Sequence, residues 1–248
     1  MPLKQSEAII LRYFDIGEQD RLVVFFSKDE GIIKGIAKGA RKFGNRFGSS
    51  LEPFSLVCIF YYEKEKKDLV TISNCDLIDS FFEIQSELNI YFNLCYFAEV
   101  IEEFLPLRSK EDKQYRLLLS LLRAIKNGAD INFLARYFEA WTLKISGFLP
   151  DLNTCKSCRK PLKESGWLSE KKDGAFCHKC AQSKKEKINP ELIEFLRLIK
   201  KNPPSKTEHF PFSSQQIDDI GKILQSIIVF HLEKEPKSLR FLRSISFE

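Results

Sequence analysis

Two Cys-x-x-Cys pairs constrain the fold of this chain more than any other feature of its sequence. Cys155 and Cys158 form the first pair, and Cys177 and Cys180 form the second after an interval of eighteen residues. Four thiolates held on two tight turns are the ligand set of a tetrahedral zinc ion, with Zn–S distances of about 2.3 Å. Four protein ligands leave no coordination position for a substrate. The spacing therefore predicts a structural zinc ion.

The segment between the two pairs has the pattern of a small β-hairpin. Residues 167–168 lead in, the Lys-Asp-Gly sequence at 172–174 predicts a turn, and residues 175–176 lead out. Two alternatives remain for the cysteines themselves. They could form two disulfides, or His178 could replace one of them as a zinc ligand.

The remaining composition is that of an ordinary globular protein with a hydrophobic core. The 248 residues are 44% hydrophobic and 29% charged, and no apolar run approaches the ~20 residues of a membrane span. The first residues lack the pattern of a secretory signal. Cys58, Cys75 and Cys95 lie in apolar stretches and are expected to be buried thiols. We therefore expect a reducing, cytoplasmic compartment and no membrane partner.

The first third of the chain predicts a small barrel of five strands. Strand-like segments cover residues 5–16, 21–27, 31–38, 54–62 and 69–75, rich in β-branched and aromatic side chains and separated by glycine-containing turns. Five short strands in about 80 residues match the size of an OB-fold. We place this domain at residues 1–80.

Positive charge is concentrated on the third strand and on the loop after it. Residues 31–50 contain five basic side chains and no acidic one, namely Lys34, Lys38, Arg41, Lys42 and Arg46. Phe43 and Phe47 are interleaved with these charges. Cations for phosphates together with aromatic faces for bases are typical of a surface that binds single-stranded nucleic acid. The alternative is a solvated, flexible loop whose phenylalanines pack into the barrel.

The rest of the chain, residues 81–248, predicts a helical domain. Apolar side chains recur at helical spacing in residues 86–105, 111–127 and 130–147, and again in 190–200 and 213–231. The four-cysteine module at residues 151–187 lies between the third and fourth helices and is read as an insertion. The fold class is therefore α+β, with an N-terminal OB-fold barrel followed by an all-α domain that carries a zinc module.

Several motifs, in order along the chain, resemble the RecO family of bacterial DNA repair proteins. The barrel part of the resemblance lies in residues 8–12, 17–22, 38–42 and 51–54. The helical part lies in residues 138–150, which run into Cys155, and in residues 231–242. Together these segments span nearly the whole chain.

The resemblance implies an OB-fold that binds single- and double-stranded DNA. RecO-like proteins anneal complementary strands and, with RecR, help load the RecA recombinase onto DNA coated by single-strand-binding protein (SSB). The helical domain of the family takes the acidic, apolar C-terminal tail of SSB. The DNA-binding positions that match the family are Lys34, Lys38, Arg41 and Lys42. Arg46 is a further candidate in the part of the loop where this sequence departs from the family pattern.

No pattern in the sequence predicts catalysis. Phosphate-binding loops of the Walker type, His-Glu-x-x-His and Gly-x-Ser-x-Gly are absent from the sequence. Lys171 begins a Lys-x-Asp-Gly sequence, as in nucleotidyl-transferring ligases, but this falls on the turn of the zinc hairpin. We therefore expect a non-enzymatic, nucleoid-associated DNA mediator without a small-molecule substrate. An RNA-binding or transcription-linked zinc-ribbon protein is the alternative.

Overall fold

A computed structural model describes residues 2–63, 68–162, 165–206 and 210–244 of the chain. The N-terminal part is a closed barrel of five strands. Its strands are β1 (Leu3–Ile16), β2 (Asp20–Ser27), β3 (Gly31–Ala37), β4 (Leu56–Tyr62) and β5 (Val70–Asp79).

The barrel has the strand order β1-β2-β3-β5-β4 and closes because the long strand β1 pairs with two neighbours. One half of β1 pairs with β2 and the other half with β4, both antiparallel. β3 and β5 form a short parallel pair. This is the OB-fold topology. The predicted strands are confirmed, with ends that differ by up to four residues.

Successive side chains along each strand point alternately into the barrel and to its outer surface. Ile33 and Ala37 on β3 join the interior core, while Lys34 and Ile36 between them are half-buried on the outer face. Part of that outer face is also apolar, because Phe26 on β2 packs edge-on against Tyr115, with ring centroids 5.5 Å apart.

Besides a short 3₁₀ helix at Glu83–Ser86, three α-helices contain residues of this first part of the chain. They are α1 (Leu88–Phe104), α2 (Asp112–Lys126) and, at the other end of the chain, α6 (Lys237–Ser244). The ring of Phe241 contacts that of Phe92, with centroids 4.6 Å apart. None of the helices expected from the sequence covers these residues, so α6 is an addition. Its helical pattern spans two turns, which is too short to recognise reliably.

The second part of the chain contains α3 (Ile131–Ile145), α4 (Pro190–Lys201) and α5 (Ser214–Leu232). The Asp130 carboxylate accepts the N–H of Asn132 and so caps α3. Ser213 and Gln216 form a reciprocal capping box at the start of α5.

A small sheet lies in the sequence between α3 and α4. Its strands are β6 (Gly166–Leu168), β7 (Ala175–Phe176) and β8 (Lys187–Ile188), in the order β7-β6-β8. The β6–β7 hairpin is the predicted one, and β8 adds a third strand. The α+β fold class with an inserted cysteine module is thus confirmed.

The chain divides into two compact units, residues 1–122 with 241–248 and residues 123–240. The domain boundary expected at residue 80 follows the change from strands to helices, and it remains a prediction. No helix in the described ranges is long and apolar enough to cross a membrane.

Candidate nucleic-acid interface and metal centre

The loop after β3 is folded back by hydrogen bonds that begin at Gly39. This residue has a φ of 70°, which favours glycine, and its N–H donates to the Asp20 carboxylate at 2.8 Å. The N–H of Lys42 then donates to the Gly39 carbonyl at 3.0 Å, and that of Asn45 to the Lys42 carbonyl at 3.1 Å. The loop is therefore a series of tight turns with a defined course.

These turns enclose an open depression of about 500 Å³, which we call the basic bowl. Three of the five predicted DNA-binding residues line it together with one phenylalanine. Its lining is Gln19, Asp20, Lys38, Gly39, Lys42, Phe43, Gly44, Asn45 and Arg46. Asp20 is the only acidic side chain in this lining, so the surface is electropositive.

Lys38 and Lys42 are exposed, and neither forms an ion pair with any residue that the structure describes. Arg46 is anchored instead by its Nε, which donates to the Ser73 carbonyl at 2.6 Å on β5. Its guanidinium also lies over the ring of Phe47 at 4.5 Å. These two contacts hold the guanidinium of Arg46 beside the exposed ammonium groups of Lys38 and Lys42.

Arg41 belongs to the same loop but is turned toward the β1–β2 connection. Its Nη1 donates to the Gly17 carbonyl at 2.8 Å, and its Nε lies 3.3 Å from the Asp15 carboxylate. Asp15 also lies 3.5 Å from Arg21. The Asp15 carboxylate offsets part of the Arg41 charge. Arg41 therefore contributes less to the positive potential around the bowl than Lys38 or Lys42.

Lys34 stands apart from the bowl, on the outer face of β3. Burial raises the pKa of the Glu102 carboxyl, and the neighbouring charges of Arg12 and Lys34 partly offset that rise. Arg12 makes the direct contact, at 2.7 Å from Glu102. Lys34 thus takes part in a separate charge cluster on the barrel surface.

The two phenylalanines of the loop have opposite environments. Phe47 is 3% exposed and belongs to the barrel core, whereas Phe43 is fully exposed. The alternative in which the loop phenylalanines pack into the barrel therefore holds for Phe47 and fails for Phe43.

The metal centre is formed by the four cysteines, whose sulfur atoms all lie within 4.8 Å of one another. The Sγ atoms of Cys158 and Cys177 are 3.8 Å apart, which is about the edge of a tetrahedron with 2.3 Å metal–sulfur bonds. One common cluster fits a single tetrahedral ion better than two separate disulfides. The site can therefore hold a metal ion.

The hairpin and the two turns bring the cysteines together. The Lys156 N–H donates to the Ala175 carbonyl at 2.7 Å and so ties the first turn to β7. The N–H of Cys177 points to the Sγ of Cys155 at 3.4 Å. Such N–H groups stabilise thiolates, as a metal site of this kind requires.

The electrostatics of the cluster are compatible with a bound cation. Burial opposes the Cys155 thiolate, but the N–H groups of Cys158, Cys177 and Ser157 outweigh it and lower the pKa of Cys155 to about 6. The neighbouring sulfurs of Cys177 and Cys158 raise the pKa of Cys180 to about 12. The fourth thiol thus keeps its proton next to the other sulfurs, and a positive ion among them would remove that penalty.

His178 lies outside this cluster. It is exposed, and its Nε2 is 3.3 Å from the Nζ of Lys184. The group of metal-binding side chains within the described ranges consists of the four cysteines alone. The alternative with a histidine ligand is therefore not supported.

The structure locates a surface groove whose position the sequence does not indicate. An apolar groove of about 560 Å³ runs between α3 and α4, with Trp141, Leu149, Ile193 and Leu196 in its lining. Three basic side chains also line it, namely Lys144, Arg197 and Lys200. In sequence these apolar residues resemble ordinary core positions; only their partial exposure in the fold distinguishes them.

Comparison with known proteins agrees with both parts of the fold. Residues 1–81 match the family described as "Recombination protein O N terminal", and residues 85–240 match "Recombination protein O C terminal". A protein of Koribacter versatilis named DNA repair protein RecO is 34% identical over 233 residues, covering 94% of this chain and 95% of its own. A protein of the same name from Syntrophotalea carbinolica is 30% identical, covering 97% of this chain and 94% of its own. This chain is a member of the RecO family of DNA repair proteins.

Proposed function

We propose that this protein binds single- and double-stranded DNA at the basic bowl and anneals complementary single strands without catalysing a covalent reaction. The observation that supports this most directly is the cluster of exposed cations at the rim of an OB-fold. Lys38, Lys42 and Arg46 line one depression, and none of them forms an ion pair within the described residues. Phosphates are the partners that such cations attract most strongly.

Annealing by this route needs electrostatics and proximity only. Two DNA strands repel each other through their phosphates, and cations that neutralise some of these charges lower that repulsion. Base pairing then supplies the sequence recognition. A protein with this role needs no active site.

The decisive experiment measures how fast complementary oligonucleotides pair when both are already covered by SSB. We expect the unsubstituted protein to accelerate pairing, and the double variant Lys38→Glu with Lys42→Glu to lose most of that effect. The same variant is expected to bind single-stranded DNA more weakly and with a flatter salt dependence, because fewer counterions are released.

A matched control carries the same change in net charge elsewhere. Lys113 on α2 and Lys201 on α4 are exposed and lie outside the bowl. Lys113→Glu with Lys201→Glu is therefore expected to retain annealing. Equal losses in both double variants, or tighter binding of RNA than of DNA, would contradict the proposal.

We infer that the metal is Zn²⁺ and that its role is structural. A closed set of four thiolates matches zinc, and it leaves no position for a substrate. Iron–sulfur clusters also use four cysteines. Metal analysis of protein purified under reducing conditions would distinguish the two, since zinc gives one colourless ion per chain.

We further propose that the groove between α3 and α4 receives the acidic, apolar C-terminal tail of SSB. The proposal rests on charge complementarity, because apolar side chains line the groove and Lys144, Arg197 and Lys200 provide positive charge. The Nζ of Lys144 lies 4.2 Å from the centroid of the Trp141 ring, so a cation and an aromatic face lie side by side in the groove lining.

Fluorescence anisotropy with a labelled peptide of that tail tests the groove. Lys144→Glu and Lys200→Glu are expected to weaken peptide binding, whereas Lys171→Glu, on the turn of the zinc hairpin and outside the groove lining, is the control. Unchanged affinity in both groove variants would place the tail elsewhere. Cooperation with RecR, RecA loading and a cytoplasmic, nucleoid-associated location are inferences from family membership alone.

A further inference from the structure

The basic bowl contains one fully exposed aromatic side chain. Phe43 has 108% of its reference area in contact with solvent, the largest value among the exposed large hydrophobic residues of the described chain. Isolated exposed apolar residues are common on protein surfaces, so exposure alone has little meaning. The surroundings of Phe43 are what distinguish it.

Phe43 lies among groups that recognise nucleic acids. Lys38, Lys42 and Arg46 line the same depression and provide positive charge beside the ring. Gln19 adds an amide side chain, which can both donate and accept hydrogen bonds. The volume of about 500 Å³ lies within the range of small-ligand sites. An aromatic face, phosphate-binding cations and a hydrogen-bonding amide together match one unstacked nucleotide.

The loop displays Phe43 in a defined position. The Asn45 Nδ2 donates to the Lys42 carbonyl at 3.1 Å, and the Asn45 carboxamide oxygen accepts the N–H of Phe47 at 2.9 Å. Phe47 in turn is fixed in the barrel core. Asn45 therefore connects the exposed turn to a buried anchor. A backbone held in this way loses less conformational entropy when a base stacks on the ring that it carries.

We propose that Phe43 is a stacking platform for an unpaired nucleobase, with the cations of the bowl holding the phosphates beside that base. This inference rests on the proposed DNA-binding function and adds a base subsite to it. Single-stranded DNA offers such bases, whereas the bases of an intact duplex are already stacked on their neighbours. The subsite therefore gives this chain a preference for single strands, gaps and frayed ends.

The charged setting favours DNA over a protein partner for this ring. An apolar protein surface would have to desolvate the neighbouring cations of the bowl on docking. A polyanion pairs with those cations instead, while its bases contact the ring. One class of ligand thus satisfies both parts of the site.

The test uses the full-length protein and an oligo(dT) strand with a single 2-aminopurine, whose fluorescence changes when it stacks on an aromatic ring. Phe43→Ala is expected to weaken binding of this strand by roughly 5- to 100-fold, the range for loss of one base–aromatic stack. The slope of log affinity against log salt should stay unchanged, because the phosphate contacts remain. Binding of a blunt duplex should change by less than about twofold.

Two further variants separate stacking from other roles. Phe43→Trp keeps an aromatic face and should restore both the affinity and the 2-aminopurine signal, whereas Phe43→Leu keeps apolar area and should restore neither in full. Phe82→Ala is the matched control, since Phe82 is an exposed phenylalanine in a different pocket, lined also by Glu83, Gln85 and Ser86. It should bind the strand like the unsubstituted protein.

The possible failures can be told apart. If Phe43→Ala binds the strand normally while Lys38→Glu with Lys42→Glu does not, the base subsite is wrong and the DNA-binding function stands. If Phe43→Ala weakens single strand and duplex equally, the ring supports the loop and does not contact bases. If the unsubstituted protein does not bind the strand, both proposals fall.

Discussion

The carboxylate of Asp20 accepts the backbone N–H of Gly39 at 2.8 Å, so an acidic side chain fixes the start of the basic loop. Asp20 is also the acidic residue in the lining of the bowl. Its hydrogen bond holds the loop, and its charge repels phosphates. The two effects can be separated because an asparagine oxygen accepts the same hydrogen bond without the negative charge.

We therefore expect Asp20→Asn to bind single-stranded DNA more tightly, by roughly two- to fivefold at low salt, since one repulsive charge is removed. Asp20→Ala also removes the charge but leaves the loop without this hydrogen bond. It should gain less affinity, or lose affinity, and its loop amides should exchange hydrogen faster. Equal gains in the two variants would show that the hydrogen bond has no role in binding.

Arg41 and Lys42 are neighbours in sequence, yet they should contribute unequally. Arg41 is held by the Asp15 carboxylate and the Gly17 carbonyl, whereas Lys42 has no ion-pair partner within the described residues. Lys42→Ala should reduce the salt dependence of binding by about one counterion, and Arg41→Ala by less. Measured slopes of log affinity against log salt provide the comparison. A larger effect for Arg41 would mean that it leaves Asp15 when DNA binds.

The sequence was sufficient to predict the barrel, the main helices and the cysteine cluster, because each has a strong local period or spacing. It could not predict which loop phenylalanine is buried. Phe43 and Phe47 are both aromatic and both flanked by basic and glycine residues. Their difference arises from where the loop returns to the barrel, and there Phe47 fills the core beside Leu51.

The sequence also could not predict which charged residues on different strands and helices lie close together. Lys34 follows the alternation expected of β3, but its relation to Glu102 depends on the placement of α1 on the outer face of the barrel. The partner of Arg41, Asp15, lies more than twenty residues earlier. Local patterns show that a residue is basic, whereas the fold determines how much of that charge reaches the solvent.

Acid should release the metal from the four-cysteine site and destabilise the protein. The pKa of Cys155 is lowered from 9.0 to about 6 in the folded protein, so its thiolate contributes stability that is complete above pH 9. That contribution is lost as the pH falls toward 6. Protons also compete with the metal for all four sulfurs. We expect metal release on titration from pH 8 to 5.5, followed with a zinc indicator.

Chelation at pH 7.5 under reducing conditions should lower Tm by roughly 5 °C or more. Cys177→Ser should abolish this response, because the cluster loses one of its four ligands. Cys58→Ser is the matched control, since Cys58 is a free thiol on β4 outside the cluster. Identical melting curves with and without chelator would contradict a structural role for the metal.

Gly221 lies in the middle of α5, where a substitution by alanine has two opposing effects on stability. Alanine favours the helical backbone, but its Cβ would clash with a neighbouring side chain. In an exposed helix, Gly→Ala stabilises by about 1 kcal/mol. At Gly221 the added Cβ would lie 1.6 Å from Nη1 of Arg136, whose side chain is only 12% exposed. Arg136 forms an ion pair with the fully buried Glu139 at 3.1 Å, and the Gln225 side chain donates a hydrogen bond to the same carboxylate at 3.0 Å. Moving Arg136 would disturb this ion pair. We therefore expect Gly221→Ala to destabilise the protein by about 1–3 kcal/mol, measured by urea unfolding.

The double variant Gly221→Ala with Arg136→Ala removes the clash but leaves Glu139 without its cation, so it should not recover the original stability. Lys222→Ala, on the exposed side of the same helix, is the control and should change stability by less than about 0.5 kcal/mol. Stabilisation by Gly221→Ala would mean that Arg136 can move aside at little cost, and that the close approach of α3 and α5 does not depend on this glycine.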